Sequence, residues 1–365
     1  MDIKKRTIYA NNQPIYDIVL ETDFLQLKEE LLQLGYENRK LLIVTETNVA
    51  PLYLEEISSL LAPIFREIIC FTFQAGEQQK QLSTVSDIYT TLIEHKFDRK
   101  DLLLALGGGV TGDLTGFAAA TYLRGIDFIQ VPTSLLSQVD SSIGGKTGVD
   151  YQAYKNMVGA FYQPSFVYIN TTTLQTLPKL EFYSGLGEII KHGLIKDKKY
   201  FDWIVSHKEE IANREPEVLR KMIFWSCQIK GDVVERDPKE QGERALLNFG
   251  HTLGHAIEKL MKFSLLHGHC VGIGSVLASY ISFKRGQITE EELMQIQSIF
   301  SYFQLDALPK ELDMEEVIAA TKLDKKMEQG QIKFILLNGI GQAYIDHTVS
   351  DDEMRVALSY ALNQR

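Results

Sequence analysis

Residues 102–113 read LLLALGGGVTGD, a short apolar run that opens directly into three glycines and then a small-residued stretch through Ala118, Ala119 and Ala120. Gly107, Gly109 and Gly112 satisfy the spacing GxGxxG in a strand–loop–helix setting. That order limits the fold sharply, because a buried strand feeding a helix across a glycine turn belongs to a parallel sheet flanked by helices. Comparable apolar runs lie at 41–45 (LLIVT), 68–73 and 128–131, with helical stretches such as 82–95 between them. The first half is therefore expected to be an α/β, Rossmann-like parallel-sheet domain. After Pro178 the pattern changes to amphipathic runs at 182–195, 216–234, 246–262, 271–285 and 290–302, which predict a mainly α-helical C-terminal domain. The boundary is placed so that residues 1–178 form the first domain and 179–365 the second. Segments 332–337 and 342–345, joined by NGIG, predict a late β-hairpin.

The glycine loop also makes a chemical prediction. Backbone N–H groups and a helix N-terminus can approach a pyrophosphate there. The acidic residue expected at the end of the following strand is missing, since 128–131 runs into Pro132-Thr133. Glu46, at the end of LLIVT, is the better partner for a ribose. Glu77, with Lys80 one helical turn on, follows another strand at the same sheet edge. The competing reading is a tight turn in a sheet protein that binds no nucleotide.

With 45% hydrophobic and 24% charged residues the chain has the composition of a soluble globular protein. Its net charge of −10 argues against nucleic acid or an anionic membrane as the main partner, so an anionic ligand must meet a local cluster of Lys and Arg. Cys70, Cys227 and Cys270 lie too far apart in sequence for a disulfide framework or a CxxC zinc site. The start of the chain has no apolar signal region and no run reaches the length of a membrane span, so a cytoplasmic location is expected.

Residues 131–148 contain Gly145-Lys146-Thr147, which invites a P-loop assignment. That motif needs a glycine where Asp140 stands, and the segment follows a polar turn, so a nucleotide triphosphatase is not expected. What remains is a glycine-rich turn presenting Lys146 and Asp140, with Lys155 and Asn156 close behind. Lysine on such a turn suits an anion or a substrate hydroxyl; the competing reading is an ordinary solvated lysine.

Four of the eight histidines fall between His251 and His269, where even spacing would put about 0.4. His251 and His255 are four apart and share a helix face, while His267 and His269 follow a break at Ser264. A catalytic zinc takes three protein ligands and leaves one position open. Glu188 is the best carboxylate, and His251 and His267 the preferred nitrogens. His192, four residues after Glu188, is a rival, and His255 could ligate or act as an acid/base. Spacing alone leaves this choice open. HTLGH lacks the glutamate of HExxH, which disfavours a zincin protease.

Taken together, the strings GGGVTGDLTGFAAATYLRG, VPTSLLSQVDSSIGGKTGVD, KNMVGAFYQP, SGLGEIIKHG, LLNFGHTLGHAIE and HGHCVGIG resemble the 3-dehydroquinate synthase family, in the family's order, over positions 107 to 274. The intact SSIGGKTGV run separates the chain from related sugar phosphate cyclases, which tend to lose it. The resemblance implies a zinc- (or cobalt-) and NAD-dependent lyase of the shikimate pathway, on the way to chorismate and the aromatic amino acids. It would convert a small-molecule sugar phosphate, 3-deoxy-D-arabino-heptulosonate 7-phosphate, to 3-dehydroquinate and phosphate, as a homodimer. Position by position, the implied metal ligands are Glu188, His251 and His267. Asp140, Lys146, Asn156, Lys191, Lys230, Arg244, Asn248, His255 and Lys333 would surround the substrate, and Arg124 would add to the phosphate site. Glu46, Glu77, Lys80, Gly107, Gly108, Gly109, Asp113, Thr133, Ser134, Asp140, Lys146, Lys155 and Thr176 would hold NAD. The chain departs from the family pattern at His269 (usually Glu), Gly187 (usually Ala), Tyr154 (often Gly) and Glu46 (more usually Asp). His269 leaves a second imidazole near the metal, and Glu46 bears on nucleotide preference.

The implied chemistry has a use for these groups. Metal and NAD+ together oxidise a ring hydroxyl, the ketone acidifies the neighbouring C–H, phosphate leaves, and reduction precedes ring opening and aldol closure. The phosphate, held by Arg124, Asn156 and His255, can take the proton itself. The principal rival is a metal-dependent alcohol or glycerol dehydrogenase, which would have no need of Lys146, Arg124 or Lys230; another sugar phosphate cyclase is closer still.

Overall fold

From β1 (Lys5–Ala10) to β2 (Gln13–Glu21) the chain turns through Asn11 and Asn12, both left-handed at φ 51° and 61°. This is a two-residue turn of the kind that matches strand twist, and Asn tolerates it. In the computed structural model, which describes residues 4–152, 154–262, 264–322, 327–328 and 331–363, the chain forms two units. The first comprises Met1–Leu177 with Leu219–Gly231; the second comprises Pro178–Val218 with Asp232–Arg365.

The first unit continues through α1 (Leu25–Gln33), β3 (Lys40–Glu46), α2 (Ala50–Leu61), β4 (Glu67–Phe73), α3 (Leu82–Glu94), β5 (Leu102–Gly107), α4 (Gly109–Thr121), β6 (Asp127–Pro132), β7 (Lys146–Tyr151), β8 (Tyr154–Phe161) and β9 (Phe166–Asn170). Seven strands form one sheet in the order β1-β2-β9-β6-β5-β3-β4, parallel except for β1. Its helices cover both faces, as the side-chain alternation of β3 shows. Leu41 and Ile43 pack with Leu27, Leu31, Ile57 and Leu61, whereas Leu42 and Val44 pack with Ile88, Leu92 and Leu114. Strands buried on both sides read as continuous apolar runs, which is why β3 and β5 are legible in the sequence. β1, β2 and β9 are not expected from sequence. Nor is the separate β7–β8 hairpin, whose strands KTGVDY and YKNMVGAF mix charged, polar and glycine positions.

The second unit is mainly helical: α5 (Lys179–Lys196), α6 (Lys198–Ser206), α7 (Lys208–Ala212), the ends of α8 (Pro216–Arg236), α9 (His251–Leu260), α10 (His267–Lys284), α11 (Glu290–Tyr302), α12 (Met314–Thr321) and α13 (Asp351–Asn363). Beside them lie β10 (Met327–Glu328) with β11 (Gln331–Ile332), and the expected late hairpin, β12 (Phe334–Leu337) with β13 (Ala343–Asp346). One expected helix, 246–262, is broken. A 3₁₀ turn (Glu243–Asn248) ends at Phe249, Gly250 turns with φ 77°, and α9 starts at His251. A side chain at Gly250 would lie 2.4 Å from Ser275 Oγ, so only glycine lets the chain turn this close to α10.

Candidate functional site

In the sheet, the chain leaves β3 outward to β4, then returns to the other side of β3 as β5 and continues to β6. Ligands of open parallel sheets bind beyond the carboxyl ends of the strands at such a reversal. Glu46 ends β3 and Gly107 ends β5, and they stand level, since Val44 faces Ala105 two residues earlier. The Glu46 carboxylate accepts the Asn48 N–H at 2.6 Å.

The glycines here do different work. A Cβ on Gly107 would strike Thr111 Oγ1 at 2.4 Å, and one on Gly112 would strike Gln130 Oε1 at 2.6 Å, so both close the turn onto the sheet. A Cβ on Gly108 would come no nearer than 3.5 Å to Ser134 Oγ. A methyl at Gly108 would thus make only an ordinary contact with Ser134, at the start of α4, whose N-terminus no side chain caps. The buried Thr111 hydroxyl has no hydrogen-bond partner. An uncapped helix start with room before it is the environment a pyrophosphate occupies, and the residues present fit NAD. Thr133 closes the loop by donating its N–H to the Gly107 carbonyl at 3.0 Å, and Ser134 Oγ lies 2.9 Å from Ser137 Oγ. Thr176, beyond β9, is hydrogen-bonded to the Tyr53 hydroxyl.

Glu77, Lys80, Asp113, Lys155 and Asn156 form a single network. Lys80 Nζ lies 2.6 Å from Asp113 Oδ2 and donates to Asn156 Oδ1 at 2.6 Å. Asn156 N–H donates to Asp150 Oδ1 at 2.7 Å, Asp150 N–H to the Lys80 carbonyl at 2.8 Å, and Lys155 Nζ lies 3.6 Å from Glu77. Burial opposes the charge on Lys80, but Asp113, Glu77 and Asp150 together outweigh it and raise its pKa. Burial likewise pushes the Asp113 carboxyl above its ordinary range in spite of Lys80.

Asp140 lies in one turn of π-helix (Ser137–Ser141), and Lys230 Nζ donates both to its carbonyl, at 2.7 Å, and to its carboxylate. Lys146 directly follows the left-handed Gly144 and Gly145 and opens β7, exposed, at the opposite end of the hairpin from Asn156. Arg124 is also exposed, just past the far end of α4. Thirteen helical residues, about 20 Å, separate it from the glycine loop.

In the second unit, α5, α9 and α10 bring a carboxylate and three imidazoles together. Glu188 Oε1 lies 3.3 Å from His267 Nε2 and 3.5 Å from His251 Nε2. Ring centres of His251, His255 and His267 stand 5.1 to 5.7 Å apart, with ligand nitrogens within 4.8 Å of one another. Glycines permit this: a Cβ on Gly268 would lie 1.8 Å from the Ser184 carbonyl oxygen, and one on Gly187 2.4 Å from that of Gly268. A Cβ on Gly254 would lie 2.7 Å from the Cys270 carbonyl oxygen. His251 Nδ1 lies 3.0 Å from the Phe249 carbonyl, so it carries the proton and leaves Nε2 as a lone pair toward Glu188. His267 Nδ1 is 3.8 Å from Glu258.

Tetrahedral zinc with bonds of about 2.0–2.1 Å separates its ligand atoms by about 3.3 Å, which fits the spacing at Glu188. Burial pulls the His251 pKa down to about 3, as a neutral ligand requires. Burial also opposes charge on His267, yet Glu188 and Glu258 hold its pKa up at about 9. Glu188 stays well below the usual carboxylate range, because Lys191 and His267 overcome its burial. Lys191, 1% exposed, is in contact with Glu188. His269 stands apart from the three converging imidazoles, with Nδ1 buried and lacking a hydrogen bond. His192 is wholly buried, with a ring nitrogen within 4.8 Å of a Glu188 oxygen.

Arg244 is buried and donates to the Pro238 carbonyl at 2.7 Å, while Asn248 Nδ2 donates to Glu240 at 2.7 Å. Lys333 precedes β12, its carbonyl accepting from Thr252 at 3.3 Å. Sequence reasoning does not single out Asp150, Asp237, Glu240 or Glu258. A carboxylate that acts by holding a neighbour carries no spacing signature; Glu258, seven residues after His251 on α9, is the one findable by helix periodicity.

Residues 70–184 match the sequence model of the 3-dehydroquinate synthase N-terminal domain, and residues 185–327 that of the C-terminal domain. The 3-dehydroquinate synthase of Shewanella piezotolerans is 43% identical over 98% of this chain and 99% of its own length. That of Nitrosomonas europaea is 46% identical over 88% and 87%. Among solved structures, 2-epi-5-epi-valiolone synthase from Streptomyces hygroscopicus subsp. jinggangensis, with NAD+ and Zn2+ bound, superposes with a TM-score of 0.90. It is 27% identical, with 99% of this chain and 100% of that one covered. A glycine loop at a sheet reversal, a buried glutamate between imidazoles and end-to-end likeness at these identities give one answer: the chain belongs to the 3-dehydroquinate synthase family.

Proposed function

We propose that this chain is a 3-dehydroquinate synthase, a phosphate-eliminating carbon–oxygen lyase that turns 3-deoxy-D-arabino-heptulosonate 7-phosphate into 3-dehydroquinate and phosphate. The observation that carries the reading is Glu188 Oε1 lying 3.3 and 3.5 Å from two imidazole nitrogens, in a chain alike end to end with such enzymes. When bound, a divalent ion (Zn2+ or Co2+) polarises a ring oxygen, and NAD+ takes a hydride and later returns it.

The protein's own groups do the remainder. Glu188, His251 and His267 hold the metal, with Phe249 and Glu258 orienting the two imidazoles. Glu46, Glu77, Lys80, Gly107, Gly108, Gly109, Asp113, Thr133, Ser134, Lys155 and Thr176 hold the nucleotide, its pyrophosphate at the start of α4. Lys146 and Asp140 carry the proton released from the hydroxyl, and Lys230, paired with the Asp140 carboxylate, holds it in place. Lys191, Arg244, Asn248 and Lys333 bind the substrate's oxygens. Asn156 and His255 hold the phosphate while it leaves and takes up the neighbouring carbon's proton. Arg124 lies a helix length from its own glycine loop, so we assign its phosphate contact to a second copy of the chain in a homodimer, measurable by light scattering. No described helix is long and apolar enough to cross a membrane, and we place the enzyme in the cytoplasm.

The test is phosphate release from the heptulosonate phosphate with catalytic NAD+, before and after chelation. Release that stops on chelation and returns with metal, without accumulation of NADH, is expected. Stoichiometric NADH without phosphate would instead identify an alcohol dehydrogenase.

A further inference from the structure

α8 ends at Asp237, whose N–H still donates to the Val233 carbonyl at 3.1 Å. An aspartate is a poor electrostatic choice there, because a helix C-terminus repels negative charge. The carboxylate is engaged in the other direction. Its Oδ1 accepts the Gln241 N–H at 2.9 Å, and its Oδ2 accepts those of Gly242 at 2.7 Å and Arg244 at 3.0 Å. Partial burial works against the charge, but these backbone donors and the nearby Arg244 hold the carboxyl below its ordinary range.

The loop so gathered holds two further side chains. The Pro238 carbonyl takes the Arg244 guanidinium at 2.7 Å, and Glu240, left-handed at φ 57°, takes the Asn248 amide at 2.7 Å. Arg244, 3% exposed, is thus fixed at its backbone by Asp237 and at its tip by the loop that Asp237 folds. An exposed clamp, Glu243 on Arg236 at 2.6 Å and on Lys196, holds the same turn from outside.

We propose that Asp237 is a positioning residue for substrate binding: it folds residues 237–244 into the one shape that aims Arg244 and Asn248. The proposal rests on the reading above, in which those two residues contact the substrate. Three charge-assisted backbone hydrogen bonds are lost in Asp237→Ala, so KM for the heptulosonate phosphate rises roughly tenfold or more. kcat changes by less than about threefold, because the residue touches no reacting atom. NAD+ affinity and metal content stay at parental values. Asp237→Asn, which keeps one acceptor oxygen, recovers part of the loss. In an Arg244→Ala background, Asp237→Ala raises KM by less than it does alone, since much of its effect passes through that guanidinium.

An unchanged KM in Asp237→Ala, or effects of the two substitutions that multiply in full, overturns the proposal. So does an equal fall of melting temperature, metal content and kcat in both the Ala and Asn variants, which would make the residue a structural staple only. If Arg244→Ala alone leaves KM at the parental value, the functional reading of Arg244 fails first and this proposal falls with it. That outcome is recognised because it appears without any change at Asp237.

Discussion

The nucleotide loop of the first unit and the imidazole cluster of the second solve opposite problems with the same residue. At Gly108 the missing side chain leaves space: a methyl there would have no neighbour nearer than 3.5 Å, so a ligand can come up to the backbone. At Gly268 the missing side chain removes space: a methyl there would overlap the Ser184 carbonyl at 1.8 Å, so two helices touch and their side chains converge. One site is made of backbone and room; the other is made of side chains and close packing. Their lysine–carboxylate pairs differ in the same sense. Glu188 has Lys191 beside it and is firmly ionised although it shares His267 with Glu258, whereas Asp113 shares Lys80 with Asp150, Glu77 and Asn156 and sits above its usual range.

The sharpest break in this comparison is expected from the metal cluster. Glu188→Ala removes the buried carboxylate proposed to hold the metal, and protein purified without chelator should lose its metal and at least about a thousandfold in turnover. Its NAD+ affinity, measured by titration, should be unchanged, because the residues proposed to hold the nucleotide belong to the other unit. His267→Ala should behave alike; if His269→Ala does so in its place, the ligand set assigned here is wrong.

Next come the two glycines, substituted in parallel. Gly268→Ala forces helices α5 and α10 apart and should cost about 3 kcal/mol, a fall in Tm of roughly 6–12 °C, with weakened metal retention. Gly108→Ala, at φ −77° and ψ −167°, meets no strain and should melt with the parent, while NAD+ binding weakens roughly tenfold. Equal thermal losses in the two variants would erase the distinction between a glycine that opens a site and one that closes a contact.

The same distinction explains what is readable in the sequence. Strands β3 and β5 are visible because burial on both faces leaves an uninterrupted apolar run, and the loop between β5 and α4 is visible because glycine spacing is itself the device. The cluster is visible as histidines of unusual density, but not as geometry. Gly250, which ends one turn and starts α9 at His251, looks like the interior of a single helix, since an amphipathic period runs through it. Choosing among His192, His255, His267 and His269 needs the crossing of α5 with α10, which is set by Gly187, Gly268 and Ser184 and by no periodicity in any one helix. β1 and β2 escape notice because Asn11-Asn12 is a turn without glycine or proline. Asp237 escapes it because three backbone N–H groups leave no trace in the string of letters.

The smallest effect concerns Lys80, and it tests whether the first unit's pair is held together by charge. Burial is the largest influence on Asp113 and raises its pKa, Lys80 lowers it, and Glu77 and Asp140 raise it further. Lys80→Met removes the lowering influence, so the folded-state pKa of Asp113 should climb further above the unfolded value of about 3.9. A carboxyl with a raised folded pKa binds more protons in the folded state than in the unfolded one. Its contribution to stability is therefore complete below about pH 4 and is lost as pH rises toward the folded pKa. Chemical denaturation without nucleotide, at several pH values from about 4 to 7, should show Lys80→Met losing roughly 1 kcal/mol more than the parent across that span. Adding Asp113→Asn to Lys80→Met should remove most of that difference, leaving the smaller contribution of Asp150, which Lys80 also faces. A Lys80→Met profile no steeper than the parent's would mean that solvent, reaching a carboxylate 18% exposed, screens the pair already. The contrast with the fully enclosed Glu188 would then be one of hydration alone.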